Sequence, residues 1–237
     1  MSRLLIGLSE LTGSITRYAE RFGVVELHPV DAALPGQKTL RKWRAAVSPA
    51  FAFSVVLPRV VGALGTGDAV DEAIKISLAA ARAVEAGAIV LATPPTVRPT
   101  PKNRELIAAL AARVRRDGHV VAWQPSGLWT EDAALEVASE NGLLLVLDVS
   151  QSELPPGPIV YTRIRSLGRS ARLGADAIDR IGRRLAGRKE AFVLADESLG
   201  RALVRALPDA VARHERGGTV PQLFRATALF EAEDEEQ

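Results

Sequence analysis

From one end to the other, the chain alternates between short β-branched runs and longer segments whose apolar residues recur at helical spacing. Eight runs read as strands: Arg3–Ile6, Val24–Leu27, Phe51–Leu57, Ala88–Leu91, His119–Trp123, Leu143–Leu147, Ile159–Ile164 and Ala191–Leu194. Each is short and apolar at successive positions, as a strand buried on both faces of a parallel sheet should be. The segments between them have legible ends. Val70, Ile74, Leu78, Ala81 and Val84 fall on one helical stripe before Gly87. Thr100 is expected as an N-cap with Pro101 in the first helical position, followed by Leu106, Leu110, Val114 and a terminating Gly118. Ile178, Ile181 and Leu185 repeat the stripe before Gly187. Strand–helix alternation of this kind argues for an α/β protein with a parallel sheet. Eight strands favour a closed (β/α) barrel over an open sheet, although periodicity by itself leaves that choice near even.

A length of 237 residues suits that reading, since such barrels run to about 250 residues and a chain of this size buries roughly 70–75% of its extended surface. No linker, low-complexity stretch or internal repeat divides it. The expectation is a single TIM-type (β/α) barrel domain over residues 1–230, regular or irregular, with an acidic flexible tail at 231–237. The tail distorts the charge balance. Net charge is +2, but setting aside Glu231, Glu233, Asp234, Glu235 and Glu236 leaves 23 acids against 30 bases, or about +7. Most of the bases are arginine, which either signals anion binding or reflects a GC-rich coding sequence.

Cysteine is absent. That removes disulfides, thiolate nucleophiles, iron–sulfur clusters and cysteine-ligated zinc, and fits a reducing compartment. Met1-Ser-Arg-Leu-Leu-Ile-Gly7 lacks the apolar core of a signal peptide, and the apolar stretch from Ile76 to Thr93 is broken by Arg82 and Glu85. A cytoplasmic protein with no membrane partner is expected.

The order of short motifs carries a further signal. Tyr18-Ala-Glu-Arg-Phe-Gly-Val-Val-Glu26 is followed by Leu34-Pro35, Trp43 and Phe51-Ala-Phe-Ser-Val-Val-Leu-Pro-Arg59. Leu91-Ala-Thr-Pro-Pro95, Val121-Ala-Trp-Gln-Pro-Ser-Gly-Leu-Trp129 and Tyr161-Thr-Arg-Ile164 continue the series. The chain resembles the YecE-like family, the bacterial group termed domain of unknown function seventy-two, and this resemblance implies a TIM-type barrel of unsettled role. The departures concentrate at polar positions. A family lysine is replaced by Val56, a Phe-Tyr pair by Asp31-Ala32, and a glutamine before the paired prolines by Ala92. A Glu-Phe-Arg-His run reads Gln124, Pro125, Ser126 and Gly127; a His-Gly pair reads Arg165-Ser166; and asparagines near the last strand give way to Ala195-Asp196. Apolar frame positions are kept while rim groups have changed, so the resemblance implies a divergent member.

Active sites of TIM barrels lie at the carboxyl ends of the strands. That geometry gathers Glu26, His28, Arg59, Gln124, Asp148, Arg163, Arg165 and Asp196 as ligand-binding candidates at one mouth. Arg163 and Arg165 alternate on a strand and should face the same side. Inside a barrel they need either acidic partners, with Glu26 or Asp148 the candidates, or an anionic ligand. Glu26 and Arg163 are expected in one network with Gln124 or Asp148. Glu26 and His28 also suit acid–base chemistry or a metal in principle, but His119 falls at the opposite end of the barrel and His214 on an outer helix. No resident metal and no cofactor are therefore expected.

Gly62-Ala-Leu-Gly65-Thr-Gly67 is neither a phosphate-binding loop of the Walker type nor a dinucleotide fingerprint, and reads as a loop capped by Asp68. No nucleophile elbow of the Gly-x-Ser-x-Gly type occurs. Nine bases lie between Arg163 and Lys189 against Asp176 and Asp179, without aromatics for base stacking, so a nucleic-acid partner is not expected. Two function classes stay open. One is binding or turnover of a small phosphorylated or carboxylated ligand at the mouth. The other is a catalytically silent barrel that acts as a protein- or nucleic-acid-associated binding module. Oligomeric state has no signature in the sequence.

Overall fold

The computed structural model describes residues 2–31, 35–115, 118–165 and 173–217. The acidic tail expected at 231–237 lies outside the described residues. Eight strands form one sheet: β1 (Arg3–Leu8), β2 (Val24–Leu27), β3 (Ala52–Val56), β4 (Ala88–Ala92), β5 (Val120–Gln124), β6 (Leu144–Leu145), β7 (Ile159–Ile164) and β8 (Glu190–Ala195). Their order is β6-β5-β4-β3-β2-β1-β8-β7, and every pairing is parallel.

The helices are α1 (Ile15–Ala19), α2 (Gln37–Ala45), α3 (Arg59–Gly62), α4 (Asp68–Val84), α5 (Pro101–Arg115), α6 (Glu131–Glu140), α7 (Ala175–Leu185) and α8 (Glu197–Arg216). They sit outside the sheet because each presents an apolar stripe to it. Val70, Ile74, Ala81 and Val84 of α4 are buried, as their spacing predicts. The ends of α4 differ from the sequence reading. Gly67, with φ of 100°, occupies the N-cap position and Asp68 is already helical, while Glu85 rather than Gly87 takes the left-handed conformation at the other end. The N-cap of α5 is as expected, with Thr100 Oγ1 accepting from the Asn103 N–H at 3.3 Å.

The strands separate two apolar regions. Leu5, Val24, Ala52, Val56, Ala88, Val90, Ala122, Val146, Phe192 and Leu194 fill the barrel interior together with Tyr161. Alternate residues such as Val25, Leu27, Phe53, Val55, Ile89 and Leu91 face the helices. This two-sided burial explains the continuous apolar runs. One close approach fixes the wall between β1 and β2: a Cβ on Gly7 would stand 1.8 Å from the carbonyl oxygen of Val24, so only glycine fits.

The barrel is nearly closed, and its seam lies between β6 and β7. There the backbone ladder shrinks to a single parallel bridge, Leu147 with Thr162. The Thr162 side chain carries the seam: its hydroxyl donates to the Leu147 carbonyl at 2.7 Å and accepts from the Val149 N–H at 3.0 Å. The Arg163 N–H adds a bond to the same carbonyl at 3.2 Å. No helix joins β6 to β7. The segment between them is instead held onto α7 and its following turn by two arginines. Arg184 Nη1 donates to the Val149 carbonyl at 2.8 Å, and Arg188 Nη1 to the carbonyls of Pro155 and Gly157 at 2.9 and 2.6 Å. Burial disfavours the charged form of Arg188 and lowers its pKa. Among the described residues no helix is long and apolar enough to cross a membrane.

Candidate functional site at the carboxyl ends of the strands

Glu26 is the third residue of β2, and its neighbours Val25 and Leu27 pack outward against the helices. Strand alternation therefore turns its carboxylate into the barrel, where the side chain is fully covered. Arg163 stands near the end of β7, two residues after Tyr161 and on the same face. The guanidinium crosses the interior. Its Nε and Nη2 donate to Glu26 Oε1 at 3.1 and 2.6 Å, and its Nη1 donates to Gln124 Oε1, at the end of β5, at 2.5 Å. The Tyr161 hydroxyl donates to the same Glu26 oxygen at 2.5 Å from one layer deeper, and its ring stacks on Phe192 with centroids 5.4 Å apart.

One carboxylate oxygen thus accepts three hydrogen bonds. The other, Oε2, is buried and has no hydrogen-bond partner among the described residues. Ser54 is in direct register with Glu26 on the adjacent β3, so its side chain faces the same lumen. Its Oγ is likewise buried and makes no hydrogen bond of ordinary distance and angle among the described residues, although the Ser54 hydroxyl stands close enough to the Tyr161 phenol to ease its ionisation slightly. The electrostatics lock the protonation of the partners. Burial, reinforced by the Glu26 charge, pushes the Tyr161 phenol well above its ordinary pKa, so it remains a donor. Burial is the largest single influence on Arg163 and opposes its charge, but Glu26 and Tyr161 together outweigh it and hold the guanidinium above its usual value.

Arg163 is not sealed in. Its side chain keeps 19% of its surface open, and of the five N–H donors on a guanidinium three are used on Glu26 and Gln124. Because Arg163 stands near the carboxyl end of β7, this open surface belongs to the mouth side of the network.

The other positions gathered by the sequence reading divide differently. His28 follows β2, and its Nε2 lies 3.0 Å from the Ser9 carbonyl just beyond β1, tying two loops together. Arg59 opens α3 with an exposed side chain, while its backbone N–H donates to Asp31 Oδ2 at 3.1 Å. Asp148 is committed to its own turn: Oδ1 accepts from the Ser150 N–H and hydroxyl at 2.9 and 2.6 Å, and Oδ2 accepts from the Arg165 N–H at 3.2 Å. Asp196 is the N-cap of α8, with Oδ1 accepting from the Leu199 N–H at 3.0 Å and the Ser198 hydroxyl at 2.9 Å. Arg165 lies past the last residue of β7 and is exposed, so the expected pairing of Arg163 and Arg165 on one lumen wall does not form. The strand ends one residue too early to carry the alternation onward.

Two members of the network have no place in the sequence reading of the site. Tyr161 carried a signal, since it stands two residues before Arg163 on a strand. Ser54 carried none, because its register against Glu26 exists only in the sheet. The histidines are dispersed: His119 sits just before β5, 3.3 Å from the Ala86 carbonyl, and His214 lies on α8 beside Asp179 at 3.2 Å. Among the described residues no group of three or more His, Asp and Glu side chains could hold a metal ion.

Similarity to known proteins agrees with this architecture. A DUF72 family protein from Enterococcus faecalis is 14% identical, with a TM-score of 0.69 over 90% of this chain and 98% of that one. A second DUF72 family protein, from Thermotoga maritima, is 14% identical with a TM-score of 0.54, again over 90% and 98% of the two chains. An L-ribulose 3-epimerase is 17% identical with a TM-score of 0.58, over 92% of this chain and 95% of that one. At such identities the likeness is one of fold. No curated protein matches the chain. The sequence model of the protein family of unknown function DUF72 matches residues 7–218. That match covers most of the barrel, and the chain belongs to the DUF72 family, the group also called YecE-like.

Proposed function

We propose that this barrel binds a small anionic ligand, one bearing a carboxylate or a phosphate, at the carboxyl-end mouth. The observation that carries the reading is the state of Arg163. Its guanidinium is oriented by Glu26 and Gln124, as a pre-organised fork should be, yet it presents an open edge. A planar fork with paired N–H groups matches carboxylate and phosphate oxygens bidentately. Pre-organisation matters because the side-chain entropy is already spent when the ligand arrives. Glu26 neutralises the arginine below, so affinity comes from directed hydrogen bonds more than from net charge.

A second reading, a catalytically silent barrel that works through its surface, draws support from Asp148 and Asp196. Both carboxylates at the rim are consumed by local capping bonds, which leaves few groups for acid–base work.

A thermal-shift screen of phosphorylated and carboxylated metabolites separates the two. A ligand at 100 times its dissociation constant adds about 2.7 kcal/mol of stability. Hits in the wild type that vanish in Arg163→Lys and persist in Arg165→Ala support the anion reading. The absence of hits across both chemical classes would count for the silent barrel.

A further inference from the structure

We infer that Glu26 Oε2 and Ser54 Oγ form the deep half of the binding site and take a hydroxyl group of the ligand, so that the ligand is a small hydroxylated acid. This inference rests on the anion reading of Arg163 and adds the substrate class to it.

The argument starts from the two orphaned atoms. Buried polar groups are almost always hydrogen-bonded, and an unmet one in a folded interior requires a reason. Here two occur on neighbouring strands at the same register, Glu26 on β2 and Ser54 on β3, both turned into the lumen. Their chemistry is complementary to one kind of group. A carboxylate oxygen only accepts, whereas a serine hydroxyl both donates and accepts. A group that donates to Oε2 while accepting from the Ser54 O–H needs a proton and a lone pair on one atom. A hydroxyl has both. An ammonium has no lone pair to offer, and a second carboxylate would meet the charge of Glu26.

The neighbouring bonds explain why Oε2 is left over. Tyr161 and two of the three donating nitrogens of Arg163 converge on Oε1, which fixes the carboxylate plane and holds its second oxygen unused. Arg163 also sets the spacing. Because its Nη2 is only 2.6 Å from Glu26 Oε1, an acid group on its open edge and a hydroxyl on Oε2 belong to one short molecule. The hydroxyl would sit on the carbon next to the acid-bearing carbon or one further along. The side chain of Glu26 is fully covered, so the hydroxyl reaches Oε2 only through a transient opening of the lumen, and the bound state keeps the Arg163 bonds to Glu26 and Gln124.

Calorimetric titration of matched pairs tests this: glycerate against propanoate, and glycerol phosphate against propyl phosphate. The hydroxylated member of at least one pair should bind about 10–100-fold more tightly, the usual range for a hydrogen bond to a charged group. Ser54→Ala should remove most of that preference while leaving affinity for the unhydroxylated member unchanged. The same variant, without ligand, should melt at the same temperature as the wild type or higher, because the buried hydroxyl it deletes makes no hydrogen bond of ordinary distance and angle. Equal binding of both members, or a preference untouched by Ser54→Ala, overturns the hydroxyl subsite and leaves the anion reading standing. Failure of all four compounds to bind defeats both. A ligand-bound crystal structure with an ordered water bridging Oε2 and Ser54 Oγ, and the ligand hydroxyl elsewhere, would also overturn it.

Discussion

Arg163 reaches from β7 across the barrel to set two nitrogens, Nε and Nη2, on a single oxygen of Glu26 on β2, at 3.1 and 2.6 Å. The two strands are not neighbours; β1 and β8 lie between them. The pair therefore ties opposite parts of the wall through the interior. Breaking a buried pair by removing one partner leaves an uncompensated charge and commonly costs about 3–5 kcal/mol. Glu26→Ala and Arg163→Ala should each destabilise by about that amount in denaturant melts, and the double variant should lose less than the sum. Additive losses would show the two to be uncoupled.

The chain has two tyrosines, and both phenols are held above their ordinary pKa. Burial is the larger cause for each, and Glu26 adds to both. Tyr18 donates to the Val24 carbonyl at 2.8 Å and accepts from the Leu8 N–H at 2.7 Å. A raised folded-state pKa contributes stability that is fully present below the unfolded value of about 10 and is lost as pH rises toward the folded value. Absorbance of the ionised phenol should therefore appear in one cooperative step, together with loss of circular dichroism, above pH about 10. A gradual titration centred near 10 in the folded protein would contradict this.

The Thr162 hydroxyl supports the seam between β6 and β7. Thr162→Val keeps the shape but leaves the Val149 N–H without its side-chain partner, while the Leu147 carbonyl keeps the Arg163 N–H. Leaving such a group unmet costs about 1–3 kcal/mol. Hydrogen exchange should rise first at residues 147–149, with the remaining strands protected as before. Uniform loss of protection would mean that the seam is not a separate weak point.

Gly7→Ala tests the close approach of β1 to β2. The added carbon would fall 1.8 Å from the Val24 oxygen, which is backbone and cannot rotate away. Overpacking of this kind costs at least about 1–3 kcal/mol, so the melting midpoint should drop clearly. An unchanged midpoint would show that the β1–β2 wall yields without cost.

The alternation of elements and the two-sided burial of the strands are legible from local spacing alone. Val70, Ile74, Ala81 and Val84 face the sheet because a 3.6-residue period leaves them no other face. The same locality made Glu26 and Arg163 legible as inward charges, each set between outward-facing neighbours on a strand. Where segments distant in sequence meet is settled only when the barrel assembles. The early end of β7 put Arg165 outside, and the turn after β6 drew Asp148 into capping bonds. The register of β2 against β3 set Ser54 beside Glu26. None of these has a local signature, because register and strand termination are settled by long-range pairing energies that no short window of residues contains.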